Sequence, residues 1–155
     1  MSSAAERAGN AICGKWKFLR DENTKECFEA MGYNDKVVQF VMENKPSMTV
    51  TRDGDSFGMT YQLGAGKPMS YTFKLEEKVT VKDDNVPPMY HNLETFTLQD
   101  DGSVKCVAES QLDGPGKIDT ETVIVRKGNE LRNYMCKRGN EDKTKVGIRV
   151  MVLDA

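Results

Sequence analysis

The chain has 155 residues, 22 of them basic and 24 acidic, for a formal net charge of -2. That length suits one domain able to bury a core or enclose a hollow, and the two signs are mixed along the sequence, which excludes the basic field that gathers nucleic acid. A hydrophobic share of 38% beside 30% charged residues is lean for a solid core, so a hollow, partly polar interior is expected, and no run approaches the ~20 apolar residues of a membrane span.

Residues 1–10 are small and polar, and they read as a flexible N-terminal tail. A single domain is expected over 11–155, with structure beginning near Cys13. Trp16 and Phe18 stand two apart, which places both on one face of a first strand. The period then changes. Cys27, Phe28 and Met31, followed by Val37, Val38, Phe40, Val41 and Met42, recur every three or four residues as helices require. Gly32-Tyr33-Asn34 splits this stretch into two short helices, with Asn34 a cap of the second, and Pro46 ends the second.

Beyond Pro46 the chain reads as short strands between turn signals. Asp53-Gly54, Asp101-Gly102, Asp113-Gly114 and Gly128-Asn129 separate the strand-like runs 47–52, 69–75, 93–98, 104–108 and 122–125. Gly64-Ala65-Gly66, the Pro87-Pro88 segment and 139–143 mark longer connections, and acidic pairs such as Asp83-Asp84 and Asp100-Asp101 belong to turns. About ten strands follow from this spacing, and a sheet of that size must curl and close. The expected fold is mainly β: a ten-stranded antiparallel up-and-down barrel, lipocalin-like, capped at one end by a helix-turn-helix lid.

Cys13, Cys27, Cys106 and Cys136 include no C-x-x-C pair, which argues for reduced thiols and against a metal site. Residues 1–10 lack the apolar segment of a secretory signal, so the cytosol is the expected compartment. His91 lies in a polar loop with no nucleophile or ligand spacing beside it. Neither enzymatic activity nor a cofactor is expected.

In order and in type, these residues resemble the intracellular lipid-binding proteins, the fatty-acid and cellular retinoid carriers. Gly14-Lys15-Trp16-Lys17-Phe18 looks like the opening G-x-W motif, Glu22-Asn23 stands where an E-N pair precedes the first helix, and Lys45-Pro46-Ser47-Met48 resembles a K-P-x-M entry into the second strand. Tyr71-Thr72-Phe73-Lys74-Leu75 is similar to the fourth strand, and Asp119-Thr120-Glu121-Thr122 to the approach to the eighth. The sequence departs from the pattern at Thr24-Lys25, where an aromatic-acidic pair is usual, and in its longer segments at 81–92 and 138–145.

The resemblance implies a carrier of one long-chain fatty acid or similar acidic lipid. Such a ligand needs apolar walls and a buried cation, and arginine suits that role because it stays charged and offers a planar fork to a carboxylate. The family pattern places two inward arginines on late strands, with a tyrosine two residues past the second. Arg126, in Val123-Ile124-Val125-Arg126, stands at the first position and Arg149, in Gly147-Ile148-Arg149-Val150-Met151, at the second. Strand alternation alone leaves either register open.

Met151 replaces the tyrosine, at a cost on the order of 1 kcal/mol in headgroup hydrogen bonding. The same carry-over assigns Phe28, Met31, Val41, Met48 and Met151 to the ligand tail, and Val38 and Gly66 to the portal. The second helix carries apolar residues over about 200° of its circumference, wider than a core-facing stripe. A transient membrane or protein contact through it is therefore expected, made by a monomer. Two other functions fit the same residues: a retinoid or other hydrophobic carrier, and an interaction module with a filled barrel.

Overall fold

Alternating side chains and frequent turns produce ten strands and three helices in the computed structural model, which describes residues 2–82, 91–112, 114 and 117–154. In chain order these are α1 (Ala4–Ile12), β1 (Gly14–Glu22), α2 (Thr24–Met31), α3 (Asp35–Glu43), β2 (Pro46–Asp53), β3 (Ser56–Leu63) and β4 (Met69–Lys74). Then follow β5 (Val79–Lys82), β6 (His91–Leu98), β7 (Val104–Ser110), β8 (Thr120–Lys127), β9 (Glu130–Lys137) and β10 (Gly147–Leu153). The strands form one sheet in the order β4-β3-β2-β1-β10-β9-β8-β7-β6-β5. Antiparallel pairing of β1 with β10 joins the two halves. Among the described residues β4 and β5 share no ladder, so the barrel is nearly closed and keeps one seam there.

The helix-turn-helix lid forms for local reasons. Gly32 ends α2 at φ 101°, a left-handed cap conformation that glycine adopts without strain. Asn34 caps α3, its side chain accepting from the Val37 N–H at 3.0 Å. Gly147 lets α2 lie against β10, because a Cβ there would meet the Cys27 Cβ at 2.8 Å and the Thr24 Cα at 3.0 Å. The 138–145 connection, which contains a 3-10 turn at Lys143–Lys145, is tied to the same helix. Asn23 donates to the carbonyls of Thr144 and Val146 at 2.9 and 3.0 Å.

The stretch expected as a flexible tail over residues 1–10 instead enters a helix at Ala4, and this corrects the sequence reading. Ser3 accepts from the Glu6 N–H at 3.1 Å, the arrangement of an S-x-x-E capping box, and alanine is the strongest helix former. Ala5, Ala8, Ala11 and Ile12 fall on one face and are buried, joining Trp16, Met48, Val50 and Phe57 in the lower core. The Trp16 indole N–H donates to the Ile12 carbonyl at 2.9 Å. α1 therefore plugs the end of the barrel opposite the lid.

His91 opens β6 opposite Lys82, is half-buried, and its carbonyl accepts from the Gln111 N–H, so it is not an exposed loop residue. The Pro87-Pro88 connection, the Asp83-Asp84 pair and Asp113 of its turn lie outside the described residues. No described helix is long and apolar enough to cross a membrane.

Candidate functional site

Two packed regions leave a hollow between them. Below, Phe57 stacks on Phe73 with centroids 5.1 Å apart and Phe73 on Phe96 at 3.9 Å, giving an aromatic floor above α1. Above, Cys27, Phe28, Met31, Val38 and Val41 form the core of the lid. The cavity between them measures about 210 Å³. Met31, Met48, Met59, Met69, Met135 and Met151 line it, and Tyr61, Tyr71, Asn92, Glu94, Thr120, Thr122, Asn133 and Arg149 make part of its wall polar.

Arg149 lines this cavity, and it is already engaged. Its Nε donates to Asp21 Oδ1 at 2.8 Å and its Nη2 to Asp21 Oδ2 at 3.3 Å and to the Val41 carbonyl at 2.8 Å. Lys45 Nζ lies 3.1 Å from Asp21 Oδ2, and the Thr24 hydroxyl donates to Asp21 Oδ1 at 2.9 Å. Both cations also sit over the Phe18 ring, Arg149 at 5.6 Å and Lys45 at 4.9 Å. Two positive charges thus surround one carboxylate, leaving a surplus of one.

Asp21 owes its inward position to a register shift. β1 pairs Phe18 with Met151 but Arg20 with Val150, a bulge that sends Leu19 outward and leaves it 44% exposed. Trp16 faces in before the bulge, and Asp21 faces in after it. Burial pushes the Asp21 carboxyl up, but hydrogen bonds and charge from Arg149, with help from Thr24 and Lys45, outweigh this and hold it below the usual range. A carboxylate depressed in the folded state stabilises the fold above its unfolded pKa and loses that contribution as pH falls through the folded value. Acid titration is therefore expected to destabilise the wild type more than Asp21→Asn below about pH 4. Parallel urea curves at neutral and acid pH check this, and equal acid sensitivity of the two proteins would contradict it.

Arg126 corrects the sequence reading. It is exposed at the plugged end of the barrel, away from Arg149, where its Nε donates to the Gly128 carbonyl at 3.1 Å and its Nη1 to the Asn10 carbonyl at 3.3 Å. The guanidinium lies 5.3 Å from the Trp16 ring. Ile124, two residues earlier on the same face of β8, lines the cavity instead. The short Gly128-Asn129 turn is the cause: it places Arg126 too close to the strand end to point into the hollow.

Phe28, Met31, Met48 and Met151 line the cavity. Val41 belongs to the lid core and contributes its carbonyl to Arg149. Val38 is likewise buried in the lid. Gly66 sits in the exposed β3–β4 turn, whose Gly64 N–H donates to the Lys45 carbonyl at 2.9 Å, so the turn adjoins the lid's end.

Sequence reasoning missed Glu94. This residue lies deep in the barrel wall, yet its side chain keeps some accessible surface, which faces the hollow. The Tyr71 hydroxyl donates to its Oε1 at 3.3 Å and the Cys106 thiol to the same oxygen at 3.6 Å. The first of these bonds crosses the β4–β5 seam. Burial raises the Glu94 carboxyl above its usual range, against the opposing hydrogen bonds from Cys106 and Tyr71. Alternation with Phe96 was the available signal, since both fall on the inward face of β6. Among the described residues no group of three or more His, Cys, Asp or Glu side chains could hold a metal.

No protein-family model matches the sequence, and no curated protein matches it. Solved structures do share its fold. Echinococcus granulosus fatty-acid-binding protein 1 superposes with a TM-score of 0.73 at 21% identity, covering 94% of this chain and 99% of that one. The Schistosoma mansoni fatty acid binding protein, solved with arachidonic acid, gives 0.74 at 18% identity over 96% of this chain and 99% of its own. The fluorescent protein UnaG gives 0.72 at 17% identity over 94% and 99%. What the chain has in common with all three is the helix-capped barrel.

Proposed function

We propose that this chain is a monomeric cytosolic carrier that holds one long-chain fatty acid or similar acidic lipid in the barrel, its carboxylate beside Arg149. One observation carries the reading: a buried arginine and Lys45 share a single carboxylate, Asp21, at the wall of a methionine-lined hollow. A ligand carboxylate would neutralise the surplus positive charge. The Arg149 Nη1 makes no hydrogen bond among the described residues, which leaves one arm of the fork to receive it.

The fatty-acid-binding proteins that share the fold support a lipid cargo, while the range of proteins built on it leaves the choice of ligand to the site. A cavity of about 210 Å³ is smaller than most small-molecule sites. Methionine walls can re-pack around an acyl chain, and the half-buried Phe40 and Met42 of α3 offer a transient contact with a membrane or partner during transfer.

Titration with stearic acid tests the headgroup assignment. Asp21→Asn removes the internal competitor and is expected to tighten binding. The double variant Asp21→Asn/Arg149→Met removes the cation while keeping the site neutral, and it should lose about 2 kcal/mol, near thirtyfold. Equal affinity in all three proteins would refute the role of Arg149. Native mass spectrometry showing no bound lipid, together with no uptake of any long-chain acid, would favour the interaction-module reading.

A further inference from the structure

A hydrocarbon tail gives Glu94 nothing to bond to. Asn92, Glu94 and Phe96 project from β6 into the hollow, with Tyr71 across the seam and Cys106 on the neighbouring strand. Both described hydrogen bonds to the carboxyl, from Tyr71 and Cys106, end on Oε1. Oε2 has no hydrogen-bond partner among the described residues. Packing methylenes against it would strip its remaining access to water and return no hydrogen bond, and a buried polar group left in that state is costly. An apolar residue at position 94 would serve a plain fatty acid better.

β6 lies four strands from β10 in the sheet order β10-β9-β8-β7-β6. Arg149 and Glu94 therefore stand on different walls, and a chain anchored at one has to cross the hollow to meet the other.

We propose that the cavity is built for an acyl chain that carries a hydroxyl group, the carboxylate beside Arg149 and the hydroxyl on Oε2 of Glu94. This rests on the carrier reading above and narrows its ligand class. A hydroxyl is the group that fits Glu94 in both of its protonation states. It accepts from a neutral carboxyl and donates to an ionised one. A ketone oxygen suits only the neutral acid, and an ammonium only the carboxylate. The Tyr71 and Cys106 donors fix the carboxyl's orientation, so Oε2 is presented to the ligand without reorganisation.

The test compares stearic acid with hydroxystearic isomers that carry one hydroxyl at successive positions along the chain, each titrated calorimetrically into the intact protein, Glu94→Leu and Glu94→Gln. The parent is expected to bind at least one isomer about tenfold more tightly than stearic acid. Glu94→Leu should abolish or reverse that preference, and Glu94→Gln, which keeps a donor and an acceptor, should retain part of it. If Glu94→Leu does not fold, the parent's isomer preference and its reduction in Glu94→Gln decide the matter.

Tight binding of stearic acid with no isomer preferred overturns the hydroxyl assignment and leaves the carrier reading standing. So does a preference that survives Glu94→Leu unchanged. Failure of the parent to bind any of the acids overturns the carrier reading itself, and this inference with it.

Discussion

Arg149→Ala is expected to lower folding stability by about 3 kcal/mol, because it leaves the Asp21 carboxylate inside the barrel without its main partner. The pair is well shielded, with side-chain exposures of 7% for Arg149 and 11% for Asp21, so solvent does little to compensate. Lys45 and Thr24 remain bonded to Asp21, which keeps the loss at the lower end for a broken buried pair. The Val41 carbonyl also loses its donor, so the lid should loosen along with the wall.

The double variant Asp21→Asn/Arg149→Met should recover most of the stability, since removing both charges also removes their desolvation cost. Urea denaturation of the wild type, Asp21→Asn, Arg149→Met and the double variant gives the coupling directly. A coupling below about 0.5 kcal/mol would show that the two side chains are independent in solution.

Deleting residues 2–11 is expected to have a comparably large effect. A nine-residue helix is too short to be stable alone in water, so α1 forms because its Ala5, Ala8, Ala11 and Ile12 face closes the lower core. Truncating Ile12 alone to Ala should cost about 2–3 kcal/mol, as for other aliphatic side chains removed from a core. The deletion should cost at least as much, because it uncovers Trp16, now 1% exposed, and frees the Arg126 fork from Asn10.

Trp16 is the chain's one tryptophan, which makes fluorescence a clean readout. A red shift and a lower urea midpoint are expected. Ala8→Glu provides a second test with the chain length unchanged, since Ala8 has no exposure and a carboxylate there has no room. An unchanged spectrum and midpoint in both variants would mean that α1 is not docked.

The sequence by itself determined the barrel and its lid. Turn dipeptides and period-two runs act locally, so strands such as Val104–Ser110 and Thr120–Lys127 contain the strand-like runs 104–108 and 122–125, and Asn34 caps α3 through its own neighbour, Val37. The resemblance, not alternation, assigns Met48, Phe28 and Arg149 to the interior, since period-two patterns leave either register open; all three line the cavity. α1 was legible too, in Ser3 and Glu6, but small residues hid how its alanines fit beneath the sheet.

Tertiary structure decided the charges. Whether Asp21 faces inward depends on the bulge at Leu19, a mismatch between two strands distant in sequence that neither strand reveals alone. Arg126 is turned away by the length of the hairpin that follows it, and Glu94 acquires its partners from β4 and β7. Local patterns select elements because hydrophobic periodicity and turn chemistry act over a few residues. A buried ion pair or an internal carboxyl depends on register across the sheet, which only the closed barrel fixes.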